Sequence, residues 1–322
     1  MKNKIVVIGS SNVDLIMKMD RLPEKGETIT DADFLQVYGG KGANQAVGAV
    51  RAGGNVAFVN CVGDDAYTPL MLDNFQKDGL DIRFVFQENG IASGHALVMI
   101  GGEGNNYLSV APGANYKLTP ELIDHAMPVI DEADMIIMQY EIPAETIKYV
   151  FKIAEMKGIP VLWNFAPARS FDLSYVAKTA ILVVNETEAA FLCGQQVETN
   201  EEIELAALKL RELGASLVII TLGKRGAFAL STTEKVSVPA FKVDALDTTS
   251  AGDVFCGSFA VAQTEGQSLT DSLRFASAAS AICVTRMGAQ PSAPTRKEID
   301  EFLMLQKQED YYNKLIDNWN CM

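Results

Sequence analysis

The sequence predicts an α/β fold: a mostly parallel central sheet between two layers of helices (three layers, αβα), with a small β-sheet projecting from it as a lid. Three observations predict it. Short apolar runs alternate with helical patterns over most of the 322 residues, as in parallel strands joined by crossover helices. Two stretches, 15–37 and 94–110, interrupt that alternation with strand-like segments alone and read as one separate small sheet. No internal repeat, low-complexity tract or long linker divides the chain, so a single domain is expected over 1–322.

The first apolar run, 5–8, ends at Gly9 and gives way to polar Ser10, Ser11, Asn12 and Asp14. A buried parallel strand delivers a functional loop in this manner, which puts Asp14 at an expected strand end. From Ala43 the pattern reads helix 43–52, strand 56–61 and helix 67–77, then strands near 82–86, 94–100 and 105–110 with no helix between them. Alternation resumes with strand 135–138, helix 144–156, strands 160–163 and 181–184, helix 201–213 and strand 217–221. After Gly252 come helical patterns over 254–264 and 269–286, a Gly- and Pro-rich loop at 288–294 and a last helix from Arg296. The tail from 306 to 322 carries no motif.

Composition narrows the chemistry. With 48% hydrophobic residues the chain can bury a sizeable core. No apolar run approaches the roughly 20 residues that span a bilayer, and residues 1–9 run into a strand-like segment without a signal-peptide pattern. A cytoplasmic location and no membrane partner are therefore expected. Cys61, Cys193, Cys256, Cys283 and Cys321 are odd in number and never spaced as CxxC, which indicates a reducing compartment and neither a disulfide framework nor a zinc knuckle. The two histidines, His95 and His125, lie apart with no nucleophile signature beside them, so acid–base chemistry falls to carboxylates. A net charge of −14 argues against nucleic acid as a partner. Any phosphate must be held mainly by backbone N–H groups and helix N-termini.

Two clusters carry chemistry. Gly39-Gly40-Lys41-Gly42-Ala43-Asn44 is a glycine-rich turn opening a helix, where a ligand can approach the backbone. It is neither the dinucleotide fingerprint, whose third glycine would fall at Gln45, nor a Walker A loop. Such a turn also serves purely structural ends, but Asp14 and Asn44 add a carboxylate and an amide able to pair with vicinal hydroxyls, as a sugar requires. The second cluster, Asp247-Thr248-Thr249-Ser250-Ala251-Gly252-Asp253, places small residues at a helix start, where free N–H groups and the positive end of the dipole make an anion hole. An Asp at that position also reads as a helix cap; Asp247, upstream in the same turn, offers a second acid for that role.

Together, GGKGAN and DTTSAGD resemble the two signatures of the ribokinase family of carbohydrate kinases, in the same order and at similar spacing. Segments 138–143 (MQYEIP), 164–168 (NFAPA), 185–188 (NETE) and 221–226 (TLGKRG) are similar to family segments, and the resemblance runs from about Lys4 to about Leu305. It implies a ribokinase-like fold and transfer of phosphoryl from ATP to a sugar. It further implies a sugar site at Asn12, Asp14, Gly40, Lys41, Asn44 and Glu141, with Asp253 as catalytic base and the N–H groups of Ala251 and Gly252 as the anion hole. The nucleotide site it implies is Asn185, Thr221, Gly223, Gly226 and Ser277, with Asn185 and Glu188 organising magnesium, Glu188 through water. Potassium is implied at Asp247, Thr249, Cys283, Arg286, Gly288 and Ser292, and a homodimer paired through the lids. Two positions depart from the family pattern: Ser250 replaces a frequent glycine, and Ser277 a frequent His or Asn.

On this resemblance ribose and ATP are expected to give ribose 5-phosphate and ADP. The alternatives are a kinase of another acceptor (deoxyribose, fructose, a phosphorylated hexose or a nucleoside) and a sugar or nucleotide sensor that keeps the fold without catalysis. A phosphorylated acceptor needs a further anion pocket, and the sugar positions supply only Lys41. Intact Asp253, Gly252 and Asn185 speak against the sensor.

Overall fold

The computed structural model describes residues 3–102 and 106–320; Cys321 and the end of the tail lie outside them, as does Asn105, where a strand is expected to begin. In chain order the elements are β1 (Lys4–Ile8), β2 (Asn12–Lys18), β3 (Asp33–Gly39), α1 (Lys41–Arg51), β4 (Asn55–Val62), α2 (Thr68–Lys77), β5 (Asp81–Gln87), β6 (Gly94–Ile100) and β7 (Asn106–Ala111). Next come α3 (Pro120–His125), α4 (Met127–Ile130), β8 (Met135–Met138), α5 (Ala144–Lys157), β9 (Val161–Asn164), β10 (Ile181–Asn185), α6 (Glu186–Cys193), α7 (Asn200–Glu212) and β11 (Leu217–Thr221). The chain closes with β12 (Ala227–Ser231), β13 (Lys235–Val238), α8 (Ala251–Thr264), α9 (Leu269–Val284) and α10 (Arg296–Asn320).

The large sheet has strand order β13-β12-β11-β10-β9-β8-β1-β4-β5, parallel except for the β12–β13 edge. Its strands alternate between two cores because successive side chains point to opposite faces. Ile5 and Val7 of β1 pack with α1, α8 and α9 residues such as Val47, Phe259 and Ala279, while Val6 and Ile8 pack with α5 and α7 residues such as Phe151 and Leu210. Helices on both faces make the strands apolar throughout, and β1, β8 and β9 are buried along their whole length. Sheet order reverses at β1, which pairs with β4 on one side and β8 on the other. A ligand site is expected at the strand C-termini beside such a reversal.

The second sheet has order β3-β2-β6-β7. It leaves the body at a single row, where Asn12 stands opposite both Gly39 and Gly94. Buried Asn115 fastens that row, donating to Ser11 O (3.0 Å) and Asn12 Oδ1 (2.9 Å) and accepting from Ser11 N (2.9 Å). Among the described residues no helix is long and apolar enough to cross a membrane.

Several local expectations are corrected. Asp14 lies inside β2 rather than at a strand end, because the chain passes directly from the large sheet into the small one with only three residues between. Residues 19–32 form no strand, so the first lid segment is two strands and a long connection. The strand expected near 82–86 is present as β5, outside the lid as expected, at an edge of the large sheet. The edge hairpin β12–β13 and the short helices α3 and α4 were not legible, being too brief to show a periodicity. Helix α8 begins at Ala251, before Gly252, because Ser250 turns into the left-handed region (φ 59°) and caps it by conformation alone.

Candidate active site

Both signatures reach the C-terminal ends of β1, β8, β9, β10 and β11, and there they meet. Gly40, at φ 87°, is the N-cap of α1; a Cβ there would approach Asn12 N to 2.7 Å, so the turn requires glycine. The first N–H groups of α1 find partners outside the helix: Lys41 N donates to Glu141 Oε2 (3.0 Å) and Gly42 N to Ser10 Oγ (3.3 Å), while Ser10 Oγ also donates to Glu141 Oε2 (2.5 Å). Glu141 thus sits where a helix N-terminus favours an anion.

Gly39 solves a different problem. A Cβ at this position would fall 2.2 Å from Asp14 Oδ2, so the absent side chain is what leaves room for the Asp14 carboxylate. That carboxyl is half-buried, its Oδ1 has no hydrogen-bond partner, and burial together with Glu141 and Asp253 pushes its pKa up to about 7. Asn44 Oδ1 is a second buried acceptor without a partner.

Asp253 lies in the first turn of α8, buried, but it does not cap that helix. Asn44 Nδ2 donates to its Oδ2 (3.1 Å) and Gln45 Nε2 to its Oδ1 (2.9 Å). Burial raises its pKa, against the pull of Lys41, Gln45 and Asn44. Lys41 is pulled down by burial, but Asp253, Glu141 and Glu188 outweigh that and raise it, so the ammonium stays charged. Open space stands where a Gly252 side chain would be, at the positive end of α8.

A cleft of about 230 Å³ opens beside these groups, lined by Lys41, Asn185, Glu188, Thr221, Gly252 and Asp253 among others. Asn185 and Glu188 form a capping box on α6: Glu188 N donates to Asn185 Oδ1 (2.8 Å) and Asn185 N to Glu188 Oε2 (2.9 Å). Burial raises the Glu188 pKa, and Asp253 adds to it, against the Asn185 N–H and Lys41. Gly223, Gly226 and Ser277 do not line this cleft; the glycines shape the turn between β11 and β12, and Ser277 is buried on α9. A larger hollow of about 380 Å³ lies at the opposite, N-terminal ends of β8 and β9, where Asp131, Asp134 and Lys157 stand among its lining. It brings together none of these groups.

Beyond the cleft, Asp247 ties two loops together, accepting from Thr249 N and Gly288 N (both 2.9 Å). Burial would raise its pKa, but those donors outweigh it and hold the carboxyl low. Cys283 Sγ meets Ser292 Oγ (3.0 Å) and donates to Thr249 O (3.8 Å); Arg286 is turned to Glu298 (2.5 Å). Ser250 uses its hydroxyl on Ala289 O (3.2 Å).

Three participants were not singled out from sequence. Gln45 had a signal, a polar residue inside an apolar helical run. Ser10 was visible only as one of the polar residues following the first strand and Asn115 not at all, since their partners lie 131 and 104 residues away.

Comparison with known proteins decides the class. Residues 2–296 match the pfkB family carbohydrate kinase family. The chain belongs to the pfkB family of carbohydrate kinases. This pfkB-family kinase is 40% identical over 313 residues to the ribokinase of Schizosaccharomyces pombe, covering 94% of this chain and 98% of the relative. It is 36% identical over 302 residues to the deoxyribokinase of Salmonella typhi, covering 94% and 99%. The structure of Arabidopsis thaliana ribokinase complexed with ribose and ATP superposes with a TM-score of 0.89 at 34% identity, covering 94% of this kinase and 99% of that chain.

Proposed function

We propose that this kinase transfers the γ-phosphoryl group of ATP to the terminal hydroxymethyl oxygen of D-ribose, giving D-ribose 5-phosphate and ADP. The observation that carries the reading is the pair of unpartnered acceptors, Asp14 Oδ1 and Asn44 Oδ1, beside the buried Asp253 carboxylate. A buried acceptor left without a donor is costly. A neutral polyol brings the missing donors, whereas a phosphorylated sugar would bring charge to a place where Lys41, the cation at hand among the described residues, is already faced by three acids. Ribokinase relatives, one of them complexed with ribose and ATP, support ribose. The deoxyribokinase relative makes 2-deoxyribose the second reading.

In the mechanism, Asn12, Asp14, Gly40, Lys41, Asn44 and Glu141 hold the sugar with its terminal hydroxyl toward Asp253. Asp253 takes the hydroxyl proton as oxygen attacks the γ-phosphorus, and the bond from phosphorus to the bridging β–γ oxygen breaks toward ADP. The Gly252 N–H, at the positive end of α8, stabilises the transferring oxygens, joined by the Ala251 N–H when it gives up its 3.3 Å bond to Thr248 O. Asn185, Thr221, Gly223, Gly226 and Ser277 hold the nucleotide. The small sheet closes over the sugar and excludes water that would otherwise take the phosphoryl group.

Two buried acids facing one cleft, Glu188 and Asp253, suit a divalent cation between phosphates and protein. Asn185 and Glu188, the latter through water, would hold magnesium, which when bound supplies positive charge to the phosphate oxygens. Asp247, kept ionised in its loop, suits a monovalent cation; with Thr249, Cys283, Arg286, Gly288 and Ser292 it would hold potassium, adding positive charge beside the anion hole. Free Cys61, Cys193, Cys256 and Cys283 fit a reducing cytoplasm. Exposed Leu35, Leu108 and Val110 share one face of the small sheet and support pairing of two copies through it.

An ADP-release assay over ribose, 2-deoxyribose, fructose, fructose 6-phosphate and adenosine tests the substrate. Ribose is expected to give the highest kcat/KM. A higher value for another acceptor reassigns the substrate, and no turnover on any of them points to a sensor.

A further inference from the structure

We propose that Gln45 acts on the reaction through Asp253, as the positioning residue that fixes which way the base faces. The proposal rests on Asp253 being the base. Gln45 is fully buried on α1, in a run whose neighbours Ala43, Ala46, Val47 and Ala49 are apolar and equally buried. Burying an amide there costs free energy unless its polar atoms are paired. All are engaged: Nε2 donates both to Asp253 Oδ1 (2.9 Å) and to Asn164 Oδ1 (3.0 Å), and Oε1 accepts from Gln139 Nε2 (2.6 Å). Gln139 and Asn164 come from the ends of β8 and β9, so the amide is braced against the large sheet on one side and grips α8 on the other.

The consequence lies in the division of labour between neighbours. Asn44 takes Asp253 Oδ2 and Gln45 takes Oδ1. A carboxylate held at both oxygens cannot turn about its Cβ–Cγ bond without breaking one of the two bonds. The Gln139 donor also fixes the Gln45 amide itself, since the flipped amide would set two NH₂ groups together and turn an oxygen toward the carboxylate. Asn44 has a free acceptor left for the sugar, whereas Gln45 has none. Its part is confined to the base.

A packing role and a positioning role separate in Gln45→Met, which keeps the volume and removes the donors. For the full-length protein, kcat is expected to fall about 10- to 100-fold, the scale of a misplaced reacting group, with KM for ATP changed by less than about twofold because its binding residues are untouched. The acid limb of the kcat–pH profile is expected to move to higher pH, since Asp253 loses a donor that favours its ionised form. Gln45→Glu, which sets another acid against Asp253, moves it further the same way. Should Gln45→Met fail to fold, Gln139→Met leaves Gln45 present but braced by Asn164 alone, and a smaller loss of kcat with a smaller displacement of the limb in the same direction is expected. Parental kcat and an unmoved acid limb in whichever of the two folds would overturn the proposal. Asp253→Asn, run alongside, separates the failures: if it is inactive while Gln45→Met behaves as the parent, only the Gln45 role falls; if it retains turnover, the base assignment and the Gln45 role fall together.

Discussion

Asn44 and Asp253, 209 residues apart, meet side chain to side chain across the contact of α1 with α8, with Asn44 Nδ2 3.1 Å from Asp253 Oδ2. The two signatures are therefore halves of one site, and Asp253 is spent on neither its own helix nor a surface ion pair. Asp253→Asn is expected to bind ATP and ribose, melt near the parent temperature, and lose about two to four orders of magnitude in turnover, the usual worth of a general base. Turnover, titration with both ligands and a thermal melt check this. A folded, ligand-binding variant that keeps more than about a tenth of parental turnover sinks the assignment.

Asp14→Ala is expected to weaken ribose binding by about 1.5–3 kcal/mol, the range for hydrogen bonds to charged groups, and Asn44→Ala by about 0.5–1.5 kcal/mol, the range for neutral ones, while ATP affinity changes little. Gly39→Ala makes a subtler version of the same change. Its new Cβ would stand 2.2 Å from Asp14 Oδ2, so the carboxylate must move although no sugar-contacting atom has been removed. Calorimetry with ribose on all three variants is the check, and unchanged affinity in Asp14→Ala and Asn44→Ala would break the sugar-site assignment.

The pKa of Asp14 also sets a stability signature. Folding raises it from 3.8 to about 7, so between those values the folded chain binds more protons than the unfolded one. Stability contributed at this site therefore falls as pH rises from about 4 to about 7. Asp14→Asn lacks that titration. Urea unfolding of both proteins at about pH 5 and about pH 7.5 is expected to show the parent losing stability relative to the variant at the higher pH. A difference that stays flat, or runs the other way, contradicts the burial argument.

Potassium is expected to raise turnover well above that in a buffer whose only monovalent cation is a bulky organic amine, at fixed magnesium and ionic strength. Asp247 motivates this: its carboxylate joins the loop before α8 to the loop after α9, so a cation there acts next to the anion hole. Equal rates in the two buffers remove potassium from the mechanism.

The sequence by itself determined the layered α/β class, because apolar runs of strand length must be covered on both faces, and helical periods between them supply the cover. It also exposed both signatures, since glycines and small residues at a helix start are local demands of backbone geometry. Tertiary structure alone decided what those residues do to one another. Gln45 was visible as a polar residue in an apolar helix, yet its partners Gln139, Asn164 and Asp253 lie 94 to 208 residues away. Gly39 looked like one glycine among several, and only the folded β2–β3 pairing brings the Asp14 carboxylate into the space its side chain would fill. Glu188 and Asn185 had been expected at a metal; folding also commits both to the N-terminus of α6, leaving only part of each free for a ligand. Local pattern fixes where the backbone can turn, but a buried polar group takes whatever partner the packing of distant elements brings within about 3 Å.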